Sequence, residues 1–169
     1  MEFSELILQR YSTRAYKSTP IPEEALARVL DAARMAPSAG NRQPTGLVVI
    51  HTAGREEELS RIFASPWFTQ APILIAACAV MEQAWTRWDG KCYADVDVAI
   101  AMDHLILAAA NEGLGTCWIG AFDDGAAREI LGLPEKVQAV AFTPLGYPAD
   151  ARPPKQRRPL SAMVHEERW

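Results

Sequence analysis

Asp95-Val96-Asp97-Val98-Ala99-Ile100-Ala101-Met102-Asp103-His104-Leu105-Ile106-Leu107-Ala108-Ala109-Ala110-Asn111 is the stretch on which the fold turns. Its apolar residues leave no polar face at helical spacing, and a helix that is apolar all round must be covered on every side. One sheet in a chain of 169 residues cannot cover all of it, so a second subunit is the natural cover for the rest. Asp103 and His104 interrupt the run too early for it to span a bilayer, and Pro72–Met81 is too short. Asp95 and Asp97 read as helix-start residues in preference to a carboxylate cluster with Asp103. His104, on a buried helix, is expected to be a hydrogen-bonded core histidine. Gly113 and Gly115 end the helix.

Upstream, the continuous apolar run Ile73–Val80 predicts a central strand, and Leu47–Ile50 a second buried one. Arg55–Phe63 reads as a charged surface helix. An earlier helix starts at Pro22, where Glu23 and Glu24 complement its dipole; Leu26, Val29, Leu30 and Ala33 form its apolar face and Pro37 stops it. Ser4 is placed to cap a short helix through Gln9, with Phe3, Leu6 and Ile7 on its apolar side. Downstream come a strand at Thr116–Ile119, a helix at Asp124–Leu131 and a strand at Val137–Leu145. Strands alternating with helices predict a three-layer α/β or α+β domain over residues 1–169. Its last part, 149–169, is rich in proline and charge and reads as an extended arm.

Bulk properties exclude several classes. A composition of 49% hydrophobic and 22% charged residues is that of a globular protein, not a disordered one. A formal net charge of −4 argues against nucleic-acid binding, which needs a basic face. No signal peptide is expected from Met1–Arg10, and the odd set Cys78, Cys92 and Cys117 disfavours a disulfide framework, so a cytoplasmic location is expected. His51, His104 and His165 show no metal-ligand spacing with the cysteines, and no serine sits in a nucleophile elbow. Without an evident catalytic side chain, a cofactor is expected to carry the chemistry.

Two kinds of segment are suited to holding one. Cations gather at the chain's two ends, in Arg10-Tyr11-Ser12-Thr13-Arg14 and Lys155-Gln156-Arg157-Arg158. In extended chain Arg10, Ser12 and Arg14 point to one side and offer two guanidinium forks and a hydroxyl to a phosphate; two solvated basic patches are the plainer alternative. Pro37-Ser38-Ala39-Gly40-Asn41-Arg42-Gln43-Pro44 carries more amide donors and acceptors than a turn needs, a set suited to the edge of a planar heterocycle. Gly113-Leu114-Gly115-Thr116-Cys117-Trp118-Ile119-Gly120-Ala121 follows a helix and opens a strand, the reverse of a dinucleotide fingerprint, so its use is close backbone approach.

In register, Arg10-x-Ser12-x-Arg14, Pro37-Ser38-Ala39-Gly40-Asn41-x-Gln43-Pro44, Gly113-Leu114-Gly115-Thr116-x-Trp118-Ile119-Gly120, Pro144-Leu145-Gly146-Tyr147-Pro148 and Lys155-x-Arg157 resemble the nitroreductase family along nearly the whole chain. The resemblance implies an α+β fold, a three-layer α-β-α sandwich interlocked as a homodimer, with one FMN per subunit at the interface. It implies that Arg10, Tyr11, Ser12 and Arg14 bind the phosphate and pyrimidine side, with Lys155 and Arg157 as a second phosphate clamp. Pro37, Ser38, Ala39, Asn41 and Gln43 would line the flavin, in part from the partner subunit. Ile119, Gly120 and Ala121 would meet its reactive edge.

The implied activity passes hydride from NADH or NADPH through the flavin to a nitroaromatic, quinone or similar acceptor, in a ping-pong cycle with no catalytic side chain. Larger members often carry a long helical excursion where this chain has only Met81–Ala94, so an open mouth is expected. Trp85, Trp88 and Tyr93 stand there either to stack on an acceptor or to cover the dimer seam. The alternatives are a non-catalytic flavin carrier or sensor, and a specialised relative such as a reductive dehalogenase.

Overall fold

The computed structural model describes residues Met1–Trp169 throughout. Helices α1 (Phe3–Gln9) and α2 (Glu23–Arg34) precede strand β1 (Thr45–His51), the short helix α3 (Glu56–Ser60) and strand β2 (Ile73–Val80). Helix α4 (Ala94–Asn111), strand β3 (Gly115–Thr116), helix α5 (Asp124–Leu131) and strand β4 (Val137–Gly146) follow. The four strands form a mixed-order sheet, β1-β2-β4-β3, in which every neighbouring pair is antiparallel.

β2 is central because it has no polar side to show. Ile73, Ile75, Ala77 and Ala79 face one core, built with Val29 and Ala33 of α2 and Val98, Met102 and Leu105 of α4. Their alternates Leu74, Ala76 and Cys78 face a second core with Leu59, Ile62, Phe68, Ala126 and Ala127. The period-two alternation of a strand thus assigns helices to both sides of one sheet. Burial also pushes the Cys78 thiol up to about 11, so it acts as a small apolar filler.

Several local expectations are corrected. Ser4 does not cap α1, which begins at Phe3, two residues earlier than such a cap would start it, and has no side-chain cap. β1 is an edge strand in which only Ile50 is buried, because helices cover its faces incompletely. The surface helix shrinks to Glu56–Ser60, and the strand expected over Thr116–Ile119 to Gly115–Thr116 plus one bridge from Ile119 to Phe142. His104 is exposed, not core; its Nδ1 lies 3.0 Å from the Ile100 carbonyl of its own helix. It belongs to a stripe of α4 that the chain leaves open, running through Val96 (40% exposed), Ile100, Asp103 and Leu107. No helix is long and apolar enough to cross a membrane.

The segment after α1 is locked into this frame by close approach. Ser12 pairs with Thr116 in a parallel bridge, Tyr16 with Pro148 in an antiparallel one, and Thr13 is fully buried between them. A Cβ added to Gly115 would lie 2.5 Å from Thr13 Oγ1 and 2.9 Å from Thr13 Cβ, so only glycine fits. Gly115→Ala is expected to cost about 1–3 kcal/mol of unfolding free energy by overpacking, measured by urea denaturation. Adding Thr13→Ala should recover part of the loss, since Thr13 Oγ1 has no hydrogen-bond partner to forfeit. An unchanged midpoint in Gly115→Ala would contradict this packing.

Candidate functional site

Long-range pairing brings the two cationic ends of the chain together. Besides the Ser12 and Tyr16 bridges, Lys17 donates to the Tyr147 carbonyl and Ala149 to that of Ala15, at 2.9 and 2.8 Å. Asp150 then ties the two strands of chain side to side. Its Oδ1 accepts from the Tyr11 hydroxyl at 2.9 Å and its Oδ2 from the Arg14 backbone amide at 2.8 Å. Partial burial and the Asp150 hydrogen bond both raise the Tyr11 phenol above its ordinary pKa, which keeps it a proton donor. Tyr11 therefore serves as a staple, and Asp150 is a residue that the sequence did not single out.

The result is one open cavity of about 240 Å³ lined by Arg10, Ser12, Arg14, Lys155 and Arg157, with Tyr11 at its wall. Both clamps expected from sequence converge here, and Arg157, not Arg158, is the lining residue. Lys155 Nζ reaches the carbonyls of Ile7 and Arg10 at the end of α1, at 2.5 and 2.7 Å. That end of a helix carries partial negative charge, which holds the lysine in place. Burial first, and then the charges of Arg10, Arg157 and Arg152, press its pKa below the ordinary lysine value. None of Arg10, Arg14, Lys155 and Arg157 takes part in a salt bridge. In a protein of net charge −4, four cations with no carboxylate partner around one cavity make a candidate anion site, for which a phosphate has the right charge and acceptors.

The second segment stands apart. Pro37, Ser38 and Gln43 line a different cavity of about 200 Å³, between α2, β1 and α4, which shares no residue with the first. Within the loop, Gly40, Asn41 and Gln43 all adopt left-handed backbone, with φ of 59°, 54° and 51°. For the two non-glycine residues this costs on the order of 1–3 kcal/mol each, strain that an enclosing structure must offset. Ser38 Oγ accepts from the Gln43 amide at 2.8 Å, and Asp97 Oδ1 accepts from the Ala39 amide at 2.9 Å. Asp97, 2% exposed, lies with Asp95 in the first turn of α4 as expected of helix-start residues, and it adds this bond across the fold. Asp95 and Asp103 are exposed and join no cluster with it.

Ile119 is buried by its bridge to Phe142, while Gly120 and Ala121 lie exposed beside it with their backbone accessible. Residues 85–93 form a small hairpin, closed by a Thr86–Cys92 bridge and by the Tyr93 amide donating to the Trp85 carbonyl at 2.9 Å. Trp85 and Tyr93 pack edge to face at 5.1 Å, with Arg87 and Lys91 over the Tyr93 ring. Trp88, at the tip, is 93% exposed. The three aromatics thus divide, two anchoring the hairpin and one presented to solvent.

Comparison with known proteins places this arrangement. The Nitroreductase family model matches residues 7–67 and 61–147. A nitroreductase family protein of Clostridium difficile has a crystal structure that superimposes with a TM-score of 0.91 at 35% identity, over 100% of both chains. A Thermus thermophilus protein named NADH dehydrogenase is 30% identical over 93% of this chain and 92% of its own. A Bacillus subtilis protein named FMN reductase [NAD(P)H] is 29% identical over 94% of this chain and 70% of its own. The chain belongs to the nitroreductase family. The matched range stops at 147, so Lys155 and Arg157 contribute from beyond it.

Because the cluster holds excess positive charge, inorganic phosphate should raise the melting temperature of flavin-free protein more than chloride of equal ionic strength does. Equal shifts from the two salts would mean general screening and no anion site.

Proposed function

We propose that the chain is an NAD(P)H-dependent FMN oxidoreductase acting on a nitroaromatic, quinone or similar acceptor. On this reading it is an interlocked homodimer of three-layer α-β-α subunits, each a single domain over 1–169 with 149–169 as an arm. The observation that carries the reading is the convergence of Arg10, Ser12, Arg14, Lys155 and Arg157 on one cavity with no carboxylate to neutralise them. One compact clamp suits the single phosphate of FMN better than the two of FAD. Family membership and the relatives' names, FMN reductase and NADH dehydrogenase, point the same way.

The residues then divide the work. Arg10, Ser12, Arg14, Lys155 and Arg157 hold the phosphate, while Tyr11 fixes their segment through Asp150. Pro37, Ser38, Ala39, Asn41 and Gln43 line the flavin, in part from the partner subunit, which fits their standing apart from the clamp in one chain. Ile119, Gly120 and Ala121 form the stretch that meets the ring edge, with Gly120 and Ala121 exposed and Ile119 anchoring them through its bridge to Phe142. FMN, when bound, supplies the transfer of hydride from NADH or NADPH to the acceptor. Trp88, unpartnered on an open hairpin, offers a flat surface to that acceptor. The dimer is supported by the open stripe on α4 and by exposed Phe3, Leu8, Leu160, Met163 and Trp169 on α1 and the arm.

Chromatography of the chromophore released from purified protein should yield FMN. Arg14→Ala and Arg157→Ala should each weaken its binding roughly ten- to a hundredfold, the scale of a charged hydrogen bond; FAD, or wild-type affinity in both variants, would sink the assignment. Varying NAD(P)H at several acceptor concentrations should give parallel double-reciprocal lines, because donor and acceptor share one surface; intersecting lines would show a ternary complex. Trp88→Ala should raise KM for flat acceptors about two- to twelvefold with flavin still bound. An unchanged KM would leave Trp88 with no part in acceptor binding.

A further inference from the structure

Residues 37–43 are joined to the rest of the chain by a single hydrogen bond. Bonds from the amides of Asn41 and Arg42, and from Gln43 to Ser38 Oγ and Asn41, all stay within the loop. Only the Ala39 amide reaches out, and it reaches Asp97 Oδ1 at 2.9 Å. Behind the loop lies the cavity of about 200 Å³, so apolar packing does not fix it from that side. The loop nevertheless holds two non-glycine residues, Asn41 and Gln43, in left-handed backbone, a conformation that relaxes unless something outside it objects. Asp97 is rigid enough to object. It is 2% exposed, sits in the first turn of α4, and has its other oxygen, Oδ2, buried without a partner. A carboxylate kept half-satisfied in a core costs stability, so the helix accepts a penalty for this one contact.

We propose that Asp97 is the positioning residue that holds the Pro37–Gln43 loop in its flavin-lining conformation, and so sets flavin affinity from outside the binding surface. The inference rests on the FMN reading. If loss of the tether lets the loop sample other conformations, apparent affinity falls in proportion to the competent fraction.

The test compares Asp97→Asn, Asp97→Ala and a core control, Val98→Ala, as full-length proteins. FMN dissociation constants are read by fluorescence titration well below each melting temperature, and amide exchange over residues 38–43 is followed without flavin. Asn retains an oxygen for the Ala39 amide, so its affinity should stay within about threefold of wild type. Ala should bind FMN about tenfold or more weakly, with faster exchange confined to the loop. Val98→Ala should lower the melting temperature while leaving both loop exchange and FMN affinity unchanged. Wild-type affinity and unchanged exchange in Asp97→Ala would overturn the proposal. Equal weakening by Val98→Ala would also overturn it, as general destabilisation. If wild-type protein binds no FMN, the reading it rests on fails, while loop exchange in Asp97→Ala still decides whether Asp97 holds the loop.

Discussion

A helix of 18 residues without a polar face has to be covered, and the rest of this molecule is arranged to cover α4. β2 supplies an apolar strand face and α2 packs alongside, both contributing to the core around Val98, Met102 and Leu105. Even so, the stripe through Val96, Ile100 and Leu107 stays open in one chain. The same helix carries Asp97 in its first turn and ends just before the Gly115 that receives Thr13. One hydrophobic requirement therefore fixes the positions of both segments that the proposed site needs, and leaves a surface suited to a second copy.

Charge is handled with equal economy. The chain is acidic overall, yet its cations at residues 10–14 and 155–157 meet without acidic partners. Asp150, the acid nearest in sequence to the arm's cations, is occupied by the Tyr11 hydroxyl and the Arg14 backbone and so leaves the guanidinium free. Burial, and after it the neighbouring charges of Arg10, Arg157 and Arg152, lower the pKa of Lys155, and that repulsion is what a bound anion would relieve. A site that costs stability when empty binds its ligand the more tightly for it.

Much of this was legible in the residues. Ile73–Val80 and Asp124–Leu131 lie where the patterning puts them, since uninterrupted apolar runs and capped helices are local signals. Arg10, Ser12, Arg14, Lys155 and Arg157 were legible as types and spacings. Their meeting was not, because it depends on pairing between residues 12–17 and 116–149. Asp97 was legible as a helix-start acid, but only the tertiary structure shows the loop amide it also faces. His104 was legible as hydrogen-bonded but not in its place, because which side of the apolar helix one chain leaves open depends on the tertiary packing.

The central claim is that one copy's clamp and another copy's loop make a single site. Complementation tests it most directly. A clamp-deficient chain, Arg14→Ala with Arg157→Ala, and a loop-deficient chain, Ser38→Ala with Asn41→Ala, are each purified and then refolded together. Each alone should bind FMN weakly. In the mixture, random pairing puts about half of the chains in mixed dimers with one intact site each, so about one quarter of all sites should regain tight FMN binding. A mixture that binds no better than the separate variants would contradict the shared site.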